Sequence, residues 1–418
     1  MNTGWQVGVD IGGTFTDVVA FRPANGILRQ AKVRSDTDDP VTSLLGALNA
    51  VDIDWEQVDD LMHGTTLVTN MIVEDRLAEV ALVTTEGFAD TLAIGRQNRR
   101  YLYRLDLPPK SKPQVPETFR FEVRERLNAQ GNVLIALTDE AIEQIAHRVG
   151  ATRVKAVAVS LLHSYANGVH EQRLGAKLGQ VVPYVALSHR VSPESREYER
   201  TSTTALSAGV MPLASSYLDQ LEAQRPPKSR VHLFHSAGGM GTPQMLRELP
   251  LGLAFSGPAA GVSAAGWVAR ELALDNVISF DMGGTTTDVC LISGGRADIR
   301  SDRSLGGRPL RMPMVAVESI GAGGGSIARL DTGALSVGPE SAGADPGPAC
   351  YGLGGTSPTV SDASLVLGYL DANRAVGGIR LDPEAATRAL TPLAAETDVN
   401  IHELALGMIR VVNASMAR

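Results

Sequence analysis

Two stretches of this chain are versions of one another, and any fold it adopts must place both. Residues 8–21 read Gly-Val-Asp-Ile-Gly-Gly-Thr-Phe-Thr-Asp-Val-Val-Ala-Phe, and residues 279–292 read Ser-Phe-Asp-Met-Gly-Gly-Thr-Thr-Thr-Asp-Val-Cys-Leu-Ile. Seven of the fourteen positions coincide without a gap: Asp10/Asp281, Gly12/Gly283, Gly13/Gly284, Thr14/Thr285, Thr16/Thr287, Asp17/Asp288 and Val18/Val289. Apolar runs lead into and out of each copy, the pattern of strand, tight glycine turn, strand. Each is therefore a β-hairpin with an acid at the end of its first strand. Paired glycines permit positive φ and close backbone approach. Threonines and free N–H groups at such a turn can cradle phosphate oxygens. The aspartate offers the hard oxygen that suits Mg²⁺, often through water. One copy is compatible with a purely structural turn; two copies between apolar runs are hard to explain by turn chemistry alone. No G-x-x-x-x-G-K-[ST] run occurs, which excludes ordinary P-loop folds.

The rest of the chain alternates strand-like and helix-like stretches, so the expected class is α/β with parallel components. Ile27 to Arg34 reads as a third strand, and Asp39-Pro40 opens a helix to about Ala50. His63-Gly64-Thr65-Thr66 leads into a helix from Leu67 to Glu74. Ile142, Ile145, Ala146 and Val149 have helical spacing after the Thr138-Asp139 start, and Val154 to Leu162 is a buried-type strand. Residues 95–117 hold four prolines with Arg99, Arg100, Tyr101, Tyr103 and Arg104, the composition of a long surface loop. Turn formers at Ser188 to Ser195 place a boundary near residue 190, giving lobes 1–190 and 191–418. Helical material from Arg196 to about Leu221 is expected to break near Met211-Pro212. A strand from Val315 to Ile320 ends in Gly321 to Ser326. The last helix, from Ile401, reaches Arg418 with no stop signal, so the second lobe is expected to be incomplete.

Composition removes several function classes. At 418 residues the chain has room for two or more domains, and 44% apolar with 20% charged residues is ordinary globular composition. A net charge of −8 without a basic block disfavours nucleic acid. Cys290 and Cys350 are the only cysteines, and one falls in a strand, so no disulfide framework is expected. No apolar run approaches the roughly 18 residues of a membrane span, and the N-terminus lacks a signal-peptide pattern. A cytoplasmic, soluble protein is the expectation.

The doubled hairpin resembles the two phosphate loops of the sugar kinase, heat-shock chaperone and actin superfamily. That resemblance implies two lobes of duplicated ribonuclease-H-like topology with ATP in the cleft. It places hydrated Mg²⁺ at Asp10 and Asp281. Gly12, Gly13, Thr14 and Thr16 on one side, and Gly283, Gly284, Thr285 and Thr286 on the other, would face the phosphates. Asp17 and Asp288 would brace the hairpins or position water. Further segments narrow the resemblance: His63-Gly-Thr-Thr-Leu-Val-Thr-Asn70, Val83-Thr-Thr-Glu-Gly-Phe88, Ile94-Gly-Arg-Gln97, Arg196-Glu-Tyr-Glu-Arg-Thr-Ser202, Ser256-Gly-Pro-Ala-Ala-Gly-Val262, Ile320-Gly-Ala-Gly-Gly-Gly-Ser-Ile327 and Asp345-Pro-Gly-Pro-Ala-Cys-Tyr351. In that order they resemble the hydantoinase A and 5-oxoprolinase family. The Gly-Gly element that grips adenosine in such proteins should follow the final helix and is not found there.

The resemblance implies an ATP-dependent hydrolase that opens a hydantoin, 5-oxoproline or lactam by phosphorylating its carbonyl oxygen. It also implies an oligomeric assembly with a hydantoinase B-type subunit. Two alternatives keep the same site: a ketone carboxylase β subunit, and a nucleotide-dependent regulatory module. Gly323, Gly324 and Gly325 are read either as a phosphate- or substrate-facing loop or as a close-packed turn, the acid Glu318 just before them favouring the first. Glu318 and His63 are candidates for the base, with a structural role for His63 equally open. Ser326 lies in no G-x-S-x-G elbow. His163 and His170-Glu171 lack metal-site spacing and read as surface or packing residues.

Overall fold

The computed structural model describes residues 4–36, 39–98, 103, 106, 113–373 and 380–417. Arg99, Arg100, Tyr101 and Arg104 of the expected surface loop lie outside the described residues.

The first hairpin anchors a six-stranded sheet in the order Met240–Gly241, Arg230–Phe234, Val58–Thr65, Trp5–Ile11, Phe15–Arg22, Ile27–Arg34. The last three strands form an antiparallel meander, while Val58–Thr65 and Arg230–Phe234 join in parallel. Strand alternation fixes the faces: Trp5, Val7, Val9 and Ile11 point into the core, and Asp10 points out. The helix Pro40–Ala50 covers the core with Leu44, Ala47 and Leu48. Its start is set by the Asp39 carboxylate, which accepts from the Thr42 N–H at 3.1 Å.

Two strands of this sheet come from beyond residue 190, so the lobe of the first hairpin does not end there. What lies before that point is an insertion. Residues 80–187 build a separate all-parallel sheet, Tyr184–Leu187, Ala156–Ser160, Val80–Thr85, Arg120–Val123, flanked by the helices Asp139–Ala151 and Val169–Leu178. The long helix Glu197–Gln224 separates the two sheets and packs on both. Leu206, Val210, Tyr217 and Leu221 face the first core; Ala205, Ala208 and Met211 face the inserted sheet. Being packed on two sides, it runs unbroken through Pro212, contrary to the break expected from sequence.

The second hairpin repeats the first. Asn276–Met282 pairs antiparallel with Thr287–Ser293, and Asp281 stands opposite Asp288 as Asp10 stands opposite Asp17. Arg296–Ala297 and Glu318–Ile320 pair along the same edge of Thr287–Ser293. On the other side the copies differ. The edge of Trp5–Ile11 is covered by Val58–Thr65, whereas Asn276–Met282 has no second strand partner among the described residues. Ile278 and Phe280 on that strand are 66% and 57% exposed.

A further hairpin, Ile299–Leu305 with Arg308–Val315, reaches back and plants Leu305, Leu310, Met312 and Met314 in the first core. The hairpin Ser326–Asp331/Ala334–Ser341 and the helices Val360–Val366, Pro383–Glu396 and Ile401–Met416 enclose a separate core. The architecture is the two-lobed α/β arrangement of actin-like ATPases. No helix among the described residues is long and apolar enough to cross a membrane.

Candidate functional site

The two turns have the same internal bond: Gly12 N–H donates to Phe15 O at 3.0 Å, and Gly283 N–H to Thr286 O at 2.9 Å. Closing each turn this way leaves the next two N–H groups, of Gly13 and Thr14 and of Gly284 and Thr285, without a protein acceptor among the described residues. The turns face one another, since a Cβ built on Gly284 would lie 3.5 Å from the Thr14 hydroxyl. Free N–H groups at successive turn positions are of the kind that can hold an anion.

Beside those turns sit the acids. Asp10 is open to solvent at its surface yet lies deep among protein atoms, and its carboxyl is pushed up to about 6. Burial is the main cause, followed by the like charges of Asp17 and Asp281, with Lys32 opposing. Asp281 is thus within electrostatic reach of Asp10 across the cleft. Asp17 is held by an ion pair to Lys32. The Asp288 carboxyl is also raised, mainly by burial, against a hydrogen bond from the Ser319 hydroxyl that lowers it. Neighbouring carboxylates of this kind, only partly offset by Lys32, fit a divalent cation. No group of three His, Cys, Asp or Glu side chains among the described residues is placed to hold a metal ion by itself. Mg²⁺ does not require one, because it commonly takes one or two carboxylates with water and substrate phosphates.

Two glycines make room for Asp10, and sequence reading gave neither a role. A Cβ on Gly64 would stand 2.7 Å from Asp10 Oδ1, and one on Gly257 3.0 Å from it. Gly257 is set there because Ser256 begins the helix Ser256–Glu271 and is locked to the strand end. Its hydroxyl donates to Thr65 O at 2.7 Å and accepts from Thr65 N–H at 3.0 Å. The signal was present in the His63-Gly64 and Ser256-Gly257 runs, but only the fold brings them together.

Several expected site residues take other positions. Thr16 is fully buried, bonded to the Ser35 hydroxyl at 2.9 Å, and its counterpart Thr287 donates to Ala322 O at 2.6 Å. Both point inward because they alternate with the outward Asp17 and Asp288, so they brace the turns and cannot reach phosphate. His63 is fully buried. Its Nδ1–H donates to Val9 O at 3.2 Å, and Nε2 accepts from the Tyr217 hydroxyl. Burial lowers its pKa to about 4, so it is a neutral core histidine with both nitrogens occupied, not a base. Glu318 is exposed and ion-paired to Arg300 at 2.7 Å.

The glycine loop is a buttress. Gly323 N–H donates to the Ser326 hydroxyl at 2.9 Å, Gly324 N–H to Gly283 O at 2.9 Å, and Gly325 N–H to Gly284 O at 2.6 Å. With all three N–H groups so engaged, none is left for phosphate. A Cβ on Gly323 would meet the Gly283 and Gly284 backbone at 2.8 Å, which is why the run is glycine. Cys290 and Cys350 are free and buried. His170 and Glu171 are buried too, in a polar network with Glu125, Ser188, His189 and Arg200 rather than on the surface.

Comparison with known proteins gives the same fold and a family. The hydantoinase/oxoprolinase N-terminal region model matches residues 6–182, and the hydantoinase/oxoprolinase model matches residues 200–418. The caprolactamase subunit alpha of Pseudomonas jessenii is 36% identical over 99% of this chain and 62% of its own length. A 5-oxoprolinase of Pestalotiopsis fici is 30% identical over 99% of this chain and 36% of its own length. The crystal structure of the ATP-dependent caprolactamase from Pseudomonas jessenii superposes with a TM-score of 0.81 at 35% identity. It covers 98% of this chain and 62% of that one. A nucleotide-free acetone carboxylase structure, at 26% identity, gives 0.79 with the same coverage. The chain spans less than two thirds of the length of these relatives.

Proposed function

The chain belongs to the hydantoinase/oxoprolinase family, and on that premise we propose that it carries the ATP-binding part of an ATP-dependent cyclic amide hydrolase. The observation that carries the reading is the facing pair of turns with Asp10 and Asp281 across one cleft. The N–H groups of Gly13, Thr14, Gly284 and Thr285 hold the β- and γ-phosphates. Asp10 and Asp281 would hold Mg²⁺, which when bound would supply charge neutralisation at the transferring phosphoryl group. Gly64 and Gly257 keep the Asp10 carboxylate in place, while Lys32 and Ser319 fix Asp17 and Asp288 on the hairpin stems.

In the proposed reaction the substrate carbonyl oxygen attacks the γ-phosphorus and the bond to the β-phosphate bridging oxygen breaks, releasing ADP. The phosphorylated imidate is then a good electrophile. Water adds at its carbon, the ring C–N bond breaks with a proton taken up by the leaving nitrogen, and a second water hydrolyses the resulting ring-opened acyl phosphate to carboxylate and inorganic phosphate. Fixed N–H dipoles stabilise the charge on the phosphoryl group without reorganising. The water-activating base is outside the set named here, since His63 is a core residue and Glu318 is paired to Arg300. A hydantoinase B-type subunit is the proposed partner, in keeping with a relative named as a subunit.

The fold match to acetone carboxylase supports a second reading, transfer of the same phosphoryl group to a ketone enolate or bicarbonate. ADP release by the full-length protein with its partner separates the two. Stimulation by hydantoin, 5-oxoproline or caprolactam is expected; stimulation only by a ketone with bicarbonate would favour the carboxylase.

A further inference from the structure

The two glycine turns are joined by a set of contacts that lies outside both hairpins. It starts at Phe15, whose carbonyl closes the first turn by accepting from Gly12 N–H. The Phe15 ring meets the Tyr351 ring edge to face, with centres 6.2 Å apart and planes inclined at 67°. Lys32 lies over the same Phe15 ring, 5.3 Å from its centre, while its ammonium bonds Asp17 on the hairpin stem. Phe15 is therefore held by its own hairpin and presents its ring to Tyr351.

Tyr351 ends the short turn Ala349–Tyr351, in a run of sequence that the proposed chemistry leaves unused. Its backbone is pinned on both sides of Cys350. Cys350 N–H donates to Asp362 Oδ1 at 2.7 Å, and Asp382 N–H donates to Cys350 O at 2.8 Å. Asp362 is fully buried and, with Thr359, caps the helix Val360–Val366. From that helix the contacts continue to the second turn. Ser361 N–H donates to Gly324 O at 2.7 Å, and Gly324 N–H donates to Gly283 O at 2.9 Å. Burial raises the Tyr351 phenol, and a hydrogen bond with Ser361 opposes that rise. Gly347, at a φ of 72°, leaves space for the ring, since a Cβ there would lie 3.2 Å from Tyr351 Cδ2.

We infer, on the reading that both turns hold one ATP, that Tyr351 is a positioning residue that sets the separation of the turns. Its ring bears on Phe15 of the first turn, and its hydroxyl bears on Ser361, which backs Gly324 and Gly283 of the second. No backbone hydrogen bond joins the two turns directly among the described residues, so their spacing depends on what lies beside them. A spacer that fixes it beforehand spares the nucleotide the ordering of two separate turns. Without the spacer only a fraction of molecules has the competent spacing, and the apparent affinity falls by that fraction. Tyr351 acts through Phe15 and Gly324; the phosphates stay with the turns.

The test is calorimetric titration of ATP with Mg²⁺ into the full-length protein with its partner subunit, no cyclic amide being present. Phe15→Ala and Tyr351→Ala should each weaken ATP binding by about tenfold. The double variant should also lose about tenfold rather than a hundredfold, because both substitutions remove one contact. Tyr351→Phe keeps the ring and gives up only the Ser361 bond, so it should bind ATP more tightly than Tyr351→Ala. Leu393→Ala, in the core under the helices Pro383–Glu396 and Ile401–Met416, should lower the melting temperature and leave ATP affinity unchanged. Melting curves check that each variant folds; if Tyr351→Ala does not, Tyr351→Leu takes its place in the cycle. Unchanged affinity in both single variants, or losses that multiply to about a hundredfold in the double, overturns the spacer. ATP binding by wild type in that case leaves the proposed function standing. No ATP binding by wild type refutes the proposed function and the spacer with it.

Discussion

Replacing Asp10 by asparagine should lower turnover by about a hundredfold or more and yet make the metal-free protein more stable near neutral pH. The Asp10 carboxyl is raised from 3.8 to about 6 in the fold, chiefly by burial and then by Asp17 and Asp281. The unfolded chain therefore ionises this group first. Stability present below pH 3.8 is lost as pH rises through about 6. At about 1.4 kcal/mol per pH unit the full shift corresponds to roughly 3 kcal/mol. The carboxylate is open to cleft water, which screens the repulsion, so about 1 kcal/mol is the expected gain for the variant at pH 7. Denaturant melts of wild type and Asp10→Asn across pH 4 to 7.5 measure it. The difference should be near zero at the acid end and grow toward neutrality. It should shrink when Mg²⁺ is added, because the cation relieves the same repulsion in wild type. A variant less stable than wild type at pH 7, or a difference independent of pH, would refute a strained Asp10.

Three further outcomes follow from the packing and the buried groups. Tyr217→Phe leaves His63 Nε2 buried without a partner and should cost about 1–3 kcal/mol in a denaturant melt, with ADP release per folded molecule unchanged. His63 itself is held near 4 against 6.5 when unfolded, so it withdraws stability as pH falls from 6.5 toward 4. The wild-type stability profile should fall on that acid limb, and the limb should flatten in His63→Gln. Gly323→Ala drives a methyl to 2.8 Å from the Gly283 and Gly284 backbone. It should weaken ATP binding at least tenfold by displacing the second turn, seen by nucleotide titration, while Gly333→Ala on an open turn should not.

Much of the fold was legible because its signals are local. The hairpins were readable from apolar runs around Gly-Gly, the helix at Pro40 from its cap, and the helix at Asp139 from its spacing. The residue 190 boundary failed because turn formers mark a local bend and say nothing of where the next strand pairs. Arg230–Phe234 returns to the first sheet across a long insertion. The repeat made the pairing of its acids legible: Asp10 stands opposite Asp17, and Asp281 opposite Asp288. Thr16 was misread because identity between copies was taken for contact with ligand, whereas strand alternation turns that threonine inward. His63 and the Gly323–Gly325 run look alike in a catalytic site and in a tight core, and only their hydrogen-bond partners separate the two. Gly64 and Gly257 act together from distant segments, which no single stretch could announce.

The central claim is that both hairpins act on one ATP. Its most direct test is steady-state ADP release by the full-length protein with its partner and a cyclic amide, comparing wild type with Asp10→Asn and Asp281→Asn. Each substitution alone should lower turnover by about a hundredfold or more. Wild-type turnover in either variant would contradict the account.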